Sequence, residues 1–376
     1  MEKFYCPECH RTYSVNATRW RCDCGSPLDL EFMPEFFTEK IVKRGPSLWR
    51  YREAIPIRKD QSILSMGEGL TPLEEMEFDG HRVLIKIDYL FPTGSYKDRG
   101  AAVLISKARE LGILKVVEDS SGNAGSAIAA YCVRAGIGCD IYVPQSTSSG
   151  KLVQIQTYRA NLKKIEGSRE KTAQVTMEAA KKTYYASHCW NPYFLHGTKT
   201  FAFEIWEQME WNAPDTLILP IGHGTLLLGA YIGFKELKEA GKVKKIPRLV
   251  GIQSTACAPL YQGFVKELEE APSIIKGETM AEGIAIAEPV RGKQILKAIR
   301  ETGGEILTVT EREVMPALRE MGRRGHFIEP TSAATIAGLK KYLKSKGRKE
   351  VIVSSLTGTG LKAVEKIEIF GKSKDF

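Results

Sequence analysis

The sequence predicts an α/β fold built on parallel sheets, and three observations carry this prediction. From about residue 95 onward, short apolar runs, turn residues and helical stretches follow one another repeatedly, as in strands joined by crossover helices. Hydrophobic residues make up 43% and charged residues 26%, which excludes disordered and collagen-like chains. The length of 376 residues suits two or three domains at roughly 150 residues each.

The apolar runs predict the elements in chain order. A strand at 115–118 leads into a helix at 124–135, and a strand at 139–143 ends at Pro144. The further predicted elements are a helix from about Lys151, a strand at 161–165, a helix at 168–183, a strand at 216–219, a helix from Thr225, and strands at 249–252 and 351–353. Ligands of such folds bind where strands end, so the turns that follow the strands are the candidate sites.

The charge balance is basic, with 54 lysines and arginines against 45 acidic residues and a net charge of +9. This excess suits an anionic small molecule or nucleic acid, but a solvated basic surface is our first interpretation. The densest basic run, at 340–349, contains only one aromatic residue that could stack on a base. We therefore expect no nucleic-acid partner.

The sequence predicts a cytoplasmic protein without a membrane span. The first residues, MEKFYCPECH, lack the apolar core of a signal peptide. The uncharged stretch at 216–234 is long enough for a span, but Pro220 and residues 222–224 (GHG) interrupt it. A strand, a loop and a helix are the better interpretation of this stretch.

Four of the eight cysteines crowd the first 24 residues as a C-x2-C pair followed by a C-x-C pair. Two paired thiolates on tight turns suit a tetrahedral zinc site, so we predict a structural zinc ribbon over residues 1–30. Two disulfides, or a ribbon without metal, are the alternatives. The predicted ligands are Cys6, Cys9, Cys22 and Cys24.

Three turns that follow predicted strands combine glycine with small polar residues. They are residues 119–125 (DSSGNAG), 221–226 (IGHGTL) and 354–360 (SSLTGTG). Glycine allows a tight backbone, and the N–H groups at a helix start attract anions. Three such turns at strand ends favour a ligand that carries anionic groups.

The common nucleotide and hydrolase motifs are absent. The sequence has no G-x-x-x-x-G-K-[ST] and no G-x-G-x-x-G, which argues against ATP and NAD, and it has neither H-E-x-x-H nor G-x-S-x-G. The remaining chemical candidate is Lys97, which follows a glycine turn at the expected start of a helix. A lysine is useful where an aldehyde cofactor with a phosphate needs a Schiff base and an anion cradle.

Five segments together resemble the fold type II pyridoxal-phosphate enzymes. They are PTGSYKDRG around Lys97, SSGNAG at 120–125, GHGTLLLG at 222–229, EPTSAA at 329–334 and LTGTGLK at 356–362. Their order and spacing match the family over essentially the whole chain. GEGLTPL at 67–73 and the cysteine ribbon make the sequence most similar to the threonine synthases. The resemblance implies pyridoxal 5′-phosphate as cofactor and a small amino acid as substrate.

The resemblance also implies roles for individual residues. Lys97 would hold the cofactor as a Schiff base and then serve as the proton-transfer base, and Asn123 would hydrogen-bond the ring oxygen. The substrate α-carboxylate would bind at a helix start, at Ser120, Ser121 and Gly122. The cofactor phosphate would be wrapped by Gly222, His223, Gly224, Thr225 and Leu226.

Thr357 would face the pyridine nitrogen of the cofactor. A hydroxyl there, unlike a carboxylate, does not hold that nitrogen protonated. The weaker electron sink would favour elimination or replacement over transamination.

Three positions depart from the threonine synthase pattern. Ala124 stands where many of these enzymes have threonine, Phe194 stands where an arginine follows the Asn-Pro pair, and His188 replaces an asparagine. Each change removes a group that would hold the substrate phosphate, and a buried dianion needs paired donors. Either other residues hold the phosphate or the substrate carries none.

The resemblance implies two α/β domains with the cofactor in the cleft between them. The small mobile domain would span 93–196, the large cofactor domain 31–92 and 197–376, and two chains would form a homodimer. The activity that fits best is a lyase that converts O-phospho-L-homoserine and water to L-threonine and phosphate. The alternatives are a serine/threonine dehydratase, a β-replacement synthase of the cysteine or cysteate type, or a nucleic-acid-binding ribbon protein with a degenerate enzyme body.

Overall fold

The computed structural model describes residues 2–147, 149–345 and 350–372, which form a mixed α/β fold with parallel sheets. The strands are β1 (Lys3–Tyr5), β2 (Thr12–Ser14), β3 (Asp29–Glu31), β4 (Leu73–Phe78), β5 (His81–Lys86), β6 (Lys115–Glu118), β7 (Gly138–Pro144), β8 (Asn161–Ile165), β9 (Tyr184–Tyr185), β10 (Thr216–Pro220), β11 (Arg248–Ser254), β12 (Glu305–Val309) and β13 (Ile352–Ser355). The α-helices are α1 (Thr38–Ile41), α2 (Lys97–Glu110), α3 (Asn123–Ala135), α4 (Ser149–Thr157), α5 (Arg169–Ala179), α6 (Pro192–Thr198), α7 (Thr200–Gln208), α8 (Thr225–Glu239), α9 (Pro259–Val265), α10 (Gly292–Glu301), α11 (Glu311–Arg323), α12 (Pro330–Ser345) and α13 (Val364–Lys372). Short 3-10 helices occur at Leu48–Ala54, Asp60–Ser62, Asp88–Leu90, Glu282–Ile284 and Gly360–Lys362.

The chain divides into two compact units. The first comprises the described residues up to Leu70 together with Lys97–Thr200. The second comprises Thr71–Tyr96 and the described residues from Phe201 onward. This division differs from the predicted boundaries, because residues 31–70 cluster with the first unit rather than with the predicted large domain.

The first unit is built on a four-stranded parallel sheet in the order β8-β7-β6-β9. Helix α2 packs against α3 and α6, and its residues Ala101 to Ile105 are fully buried. The N-terminal cysteines lie on a separate antiparallel sheet of order β2-β1-β3. Phe4 of β1 joins this small sheet to the unit's hydrophobic core, where its ring meets Tyr193 edge-on at 5.7 Å.

The second unit is built on a six-stranded sheet of order β12-β11-β10-β13-β5-β4. All neighbouring strands are parallel except β4, which pairs antiparallel with β5 and forms the edge. The connection between β4 and β5 is Asp79-Gly80, and both residues have positive φ, at 49° and 82°. This is the backbone of a tight hairpin turn, which Asp-Gly adopts readily because glycine accepts positive φ without strain.

Most predicted elements are confirmed. Strands β6 and β8 have the predicted bounds, and the uncharged stretch at 216–234 forms β10, a loop and the start of α8. Helix α5 ends at Ala179 instead of continuing to 183, because the chain must extend into β9 at Tyr184. Within the part of the chain that the structure describes, no helix is long and apolar enough to cross a membrane.

Candidate active site

Lys97 is the first residue of α2, as the sequence predicts, and its side chain is half-buried. The preceding residue, Tyr96, belongs to the second unit and donates its backbone N–H to the carbonyl oxygen of Thr357 at 3.0 Å. The Tyr96 hydroxyl lies 3.0 Å from Oγ1 of Thr225. Tyr96, which directly precedes Lys97, is therefore held by two of the predicted cofactor-binding residues, Thr225 and Thr357.

In the first unit, the turn after β6 leads directly into α3. Gly122 is the N-cap residue of α3, and no side chain caps this helix start. Its N–H bonds to the Ser120 hydroxyl at 3.3 Å, which folds the turn back on itself. A helix N-terminus without a side-chain cap attracts an anion through its first N–H groups and its dipole. Ser120, Ser121 and Gly122 thus lie in one turn at an uncapped helix start, and anion binding there stays a prediction.

Gly125, in the first turn of α3, packs directly on the backbone of this turn. A Cβ at this position would overlap the carbonyl oxygen of Ser120, which is a backbone atom and cannot rotate away. The absence of a side chain at Gly125 is therefore what allows α3 to start so close to the turn.

We expect Gly125→Ala to destabilise the first unit and displace the turn. The higher helix propensity of alanine should raise the free energy of unfolding by about 1 kcal/mol. Overpacking against the backbone should lower it by about 3 kcal/mol, so the net loss of stability is about 2 kcal/mol. Denaturant unfolding measures this loss. Gly138→Ala is the control, because its Cβ would meet Lys115 at an ordinary 3.4 Å. Equal stability of the two variants would contradict the assigned packing.

His188 lies beside the same turn and is paired with a buried glutamate. Strands β6 and β9 are parallel neighbours, so the chain segments after Glu118 and Tyr185 leave the same edge of the sheet. His188 Nδ1 lies 2.7 Å from Glu118 Oε1, and both side chains are almost completely buried. Burial and the neighbouring charge of Asp119 raise the pKa of Glu118 well above its usual range. The two side chains are thus joined by a buried hydrogen bond.

The other two departures from the family pattern provide no polar group. Phe194 is completely buried in the core of the first unit, where its ring fills the space above Gly100. It also meets the His188 ring edge-on at 6.0 Å. Ala124 is buried in the first turn of α3. Of the three altered positions, only His188 has a side chain that hydrogen-bonds.

In the second unit, the loop between β10 and α8 has the backbone of a phosphate cradle. Gly224 is the N-cap of α8 in the left-handed conformation, at φ 68°, and no side chain caps this helix. A Cβ at Gly222 would lie 2.8 Å from the Gly283 carbonyl oxygen, so only glycine fits there. N–H groups at an uncapped helix start of this kind suit an anionic ligand. The predicted residues 222–226 therefore lie together at one helix start.

The turn that contains Thr357 lies next to this loop. Strands β10 and β13 are parallel neighbours, so the 222–226 loop and the turn after Ser355 leave the same edge of the sheet. The Thr357 N–H donates to Ser332 Oγ at 2.8 Å, and the Thr357 hydroxyl donates to Glu329 Oε1 at 2.8 Å. The predicted ring-nitrogen residue is thus held by two side chains around the start of α12.

Two buried hydroxyls near this turn have no hydrogen-bond partner among the described residues. They are Ser95 Oγ and Ser355 Oγ. Ser95 pairs with Gly358 in an isolated bridge, and Ser355 ends β13 two residues before Thr357. Buried polar groups of native proteins nearly always have a partner. An amide-lined loop, a held threonine and two unsatisfied hydroxyls in one unit fit the phosphate and the polar ring of pyridoxal phosphate.

The four N-terminal cysteines form a compact group of sulfur atoms. All four Sγ atoms lie within 4.8 Å of one another, with 3.5 Å between Cys6 and Cys24 and 3.4 Å between Cys9 and Cys22. These distances exceed a disulfide bond of about 2.0 Å, and all four thiols are free. Four thiolates around zinc at about 2.3 Å would lie about 3.8 Å apart, close to the observed spacing.

Sequence reasoning missed the residues that support the predicted ones. Glu329 and Ser332 lie in the EPTSAA segment, and Glu118 directly precedes the 119–125 turn. The position of Glu118 directly before a predicted site turn was a usable signal for that residue. The partners of Ser332 and Glu118, however, lie 25 and 70 residues away along the chain, and no sequence pattern identified them.

Comparisons with known proteins agree with this geometry. The sequence profile of the family described as pyridoxal-phosphate dependent enzyme matches residues 64–358. The threonine synthase of Methanocaldococcus jannaschii is 36% identical over 95% of this chain and 92% of its own length. That of Methanosarcina acetivorans is 34% identical over 95% and 91%. The processed form of threonine deaminase isoform 2 from Solanum lycopersicum has a similar fold, with a TM-score of 0.71 over 90% of each chain at 19% identity.

Proposed function

The chain belongs to the family of pyridoxal-phosphate-dependent enzymes, among its threonine synthase-like members, and from that premise we propose that it converts O-phospho-L-homoserine and water to L-threonine and phosphate. The observation that carries this proposal is the similarity to threonine synthases over 95% of the chain. The two helix starts and the held Thr357 support it, because each fits an anionic or polar group of the cofactor or substrate.

Four groups of residues would hold the cofactor in this proposal. Lys97 would bind it covalently through its amine, and the 222–226 loop would surround its phosphate with N–H groups. Asn123 hydrogen-bonds the ring oxygen, and Thr357 faces the ring nitrogen. When bound, the cofactor supplies an electron sink for negative charge that develops at the substrate Cα.

Residues of the chain bind the substrate and move its protons in the remaining steps of the proposed reaction. The 120–122 turn holds the α-carboxylate at the N-terminus of α3, where the helix dipole favours an anion. The Lys97 amine takes protons from Cα and Cβ, and phosphate leaves Cγ with the bonding electrons. Water then adds its hydroxyl at Cβ and gives its other proton to the departing phosphate, and protons return to Cα and Cγ. In this proposal the same amine acts as base and then as acid for each proton transfer.

The substrate phosphate needs hydrogen-bond donors in this proposal. Phe194 and Ala124 bring no donor to it, so the His188 ring, held by Glu118, is the replacement among the three altered positions. A second candidate function follows from the same observation. A dehydratase or β-replacement synthase acting on a substrate without phosphate would not need the missing arginine.

One assay separates these candidates. The purified, cofactor-loaded protein is incubated with O-phospho-L-homoserine, and threonine and phosphate are measured; L-serine and L-threonine are run beside it and assayed for oxo-acids. Equal amounts of threonine and phosphate would support threonine synthase. Oxo-acid from serine or threonine, without phosphate release from phosphohomoserine, would refute it and favour the dehydratase.

We also propose that Cys6, Cys9, Cys22 and Cys24 bind one structural zinc ion. Protein purified without added metal should contain one zinc per chain by elemental analysis, and chelation should lower its melting temperature because the small β1–β3 sheet loses its crosslink. Cys9→Ser should lose the zinc, whereas Cys257→Ala, outside the ribbon, should retain it. Absence of zinc together with four unreactive thiols would instead mean two disulfides.

A further inference from the structure

Trp20 links the N-terminal cysteine segment to the parallel sheet of the first unit. It lies between β2 and β3, two residues before Cys22, and only 7% of its surface is exposed. Its ring packs in a small hydrophobic cluster with Val117, Ala180 and Tyr185, apart from the main core of the unit. Among the described members of this cluster, Trp20 is the one that comes from the N-terminal segment.

Trp20 holds an aromatic residue on each side of one turn. Its ring meets Tyr185 of β9 edge-on at 5.1 Å and Trp190 edge-on at 5.2 Å, at interplanar angles of 86° and 84°. Aromatic rings attract each other in this geometry, because the positive edge of one ring faces the negative face of the other. The turn between the two partners, at 186–189, contains His188. Trp20 therefore contacts both ends of the chain segment that carries His188.

Hydrogen bonds within this segment make the turn compact. Ser187 Oγ accepts the N–H of Cys189 at 3.4 Å and the N–H of Trp190 at 3.3 Å. The Asn191 N–H donates to the Ser187 carbonyl oxygen at 3.1 Å. Because the turn is tied together in this way, a displacement of Trp190 is passed on to His188.

Tyr185 connects Trp20 to the predicted substrate turn. Its hydroxyl donates to Asp119 Oδ1 at 3.0 Å, and Asp119 directly precedes the 120–122 turn. Only 1% of Tyr185 is exposed, so water competes little for this hydrogen bond. The residue that leads into the substrate turn is thus bound to a ring that Trp20 holds.

We propose that Trp20 is a positioning residue for substrate binding, which fixes Tyr185 and Trp190 and through them the 120–122 turn and His188. The inference rests on the proposed function, in which that turn binds the substrate α-carboxylate and His188 replaces a missing phosphate ligand. A binding group that is misplaced by about 1 Å can cost a large factor in rate or affinity. The N-terminal cysteine segment then contributes to substrate binding through one side chain.

Hydrogen exchange measured by mass spectrometry tests the positioning without any substrate. Cofactor-loaded wild type and Trp20→Ala are compared at one pH and temperature. We expect amide exchange at 119–125 and 186–191 to become at least about tenfold faster in the variant, while exchange in α2 changes by less than about twofold. Lys3→Ala is the matched control, because it removes only an exposed ion pair with Glu31 from the small sheet. Unchanged exchange in either stretch, or equal acceleration throughout the unit, would overturn the proposal.

Tyr185→Phe tests the connection to the substrate turn while the ring stays in place. It removes the hydroxyl bound to Asp119, so exchange at 119–125 should become faster, and Trp20→Ala should add less than about twofold in this background. A full additional effect of Trp20→Ala would mean that Trp20 does not act through the hydroxyl, and would refute the connection. If Trp20→Ala does not fold, unchanged exchange at 119–125 in Tyr185→Phe refutes it equally.

Steady-state kinetics test the consequence for the substrate. The turn binds the α-carboxylate throughout the proposed reaction, so its displacement should raise KM and leave kcat nearly unchanged. We expect KM for O-phospho-L-homoserine to rise about tenfold in Trp20→Ala, with kcat within about twofold of the wild type. Trp20→Phe keeps an aromatic ring in the cluster and should restore most of the loss. A residue that only stabilises the fold would lower the amount of active protein and hence the apparent kcat at unchanged KM, and this result would overturn the proposal.

Failure of the inference and failure of the proposed function give different results. A wild type that forms threonine, together with an unchanged KM in Trp20→Ala, refutes only the inference. A wild type that forms no threonine refutes the proposed function, whereas the exchange measurement still decides whether Trp20 holds the two turns.

Discussion

Lys97→Ala is expected to abolish both the visible absorbance of the lysine-bound cofactor and the formation of threonine. The amine is the group that bonds the cofactor aldehyde in the proposed mechanism, and it also moves every proton. Alanine offers neither a nucleophile nor a base, so turnover should fall below detection rather than decline by a modest factor. Absorbance spectroscopy of the loaded protein and a phosphate-release assay measure the two losses separately.

Lys115→Ala is the control for the loss of one positive charge. Lys115 lies in the same unit on β6, and its side chain is 54% exposed, so its removal should leave the spectrum and the rate unchanged. Lys97→Arg keeps the charge at the site but cannot form the covalent bond, and it should fail like alanine. Turnover of Lys97→Ala near the wild-type rate would eliminate the proposed mechanism.

Glu204→Ala is expected to destabilise the second unit by about 3–5 kcal/mol, because it removes one partner of a buried ion pair. Lys86 Nζ lies 2.8 Å from Glu204 Oε2, and neither side chain is exposed to solvent. The ammonium also donates to the Thr71 carbonyl oxygen at 2.5 Å and to Gln208 Oε1 at 2.6 Å. The free energy of unfolding in denaturant measures the effect.

The double variant Lys86→Met/Glu204→Leu tests whether charge is the cause. Replacing both partners of a buried ion pair by apolar residues of similar size is often nearly neutral, whereas removing one partner is not. The double variant should therefore be more stable than Glu204→Ala. If it is as unstable as the sum of the two single changes, packing rather than the ion pair accounts for the loss.

The parts of the fold that depend on local pattern were predictable. Strands β6 and β8 and the start of α8 at Thr225 follow from apolar runs bounded by turn residues, which act within a few residues. The hairpin of β4 and β5 was not predicted, although its Asp79-Gly80 turn is a local signal that could have been used. Strand β12 was also missed, since only two residues of its Glu305–Val309 span, Ile306 and Val309, are buried.

The candidate site was predictable in its backbone and not in its supporting side chains. Glycine-rich turns can be recognised in a sequence because few other residues adopt positive φ readily, and Gly224 has this conformation. The pairs Glu118–His188 and Glu329–Thr357 are brought together by the tertiary fold, and either residue alone resembles an ordinary polar side chain. From the sequence alone, Phe194 stands where a phosphate-binding arginine is expected. In the structure its ring is buried and packs against Gly100, which no local sequence pattern predicts.

The antiparallel edge strand β4 also bears on how the protein behaves in a crowded solution. The outermost strand of a sheet offers unpaired backbone groups to which a strand of another molecule can add. In β4, Glu74, Glu75 and Glu77 are exposed along this edge, so two approaching copies repel each other before their backbones pair. Shortening the chain to remove β4 would leave β5 as the edge, with apolar Val83 and Ile85 uncovered. The acidic hairpin thus protects the sheet from aggregation by edge-to-edge addition.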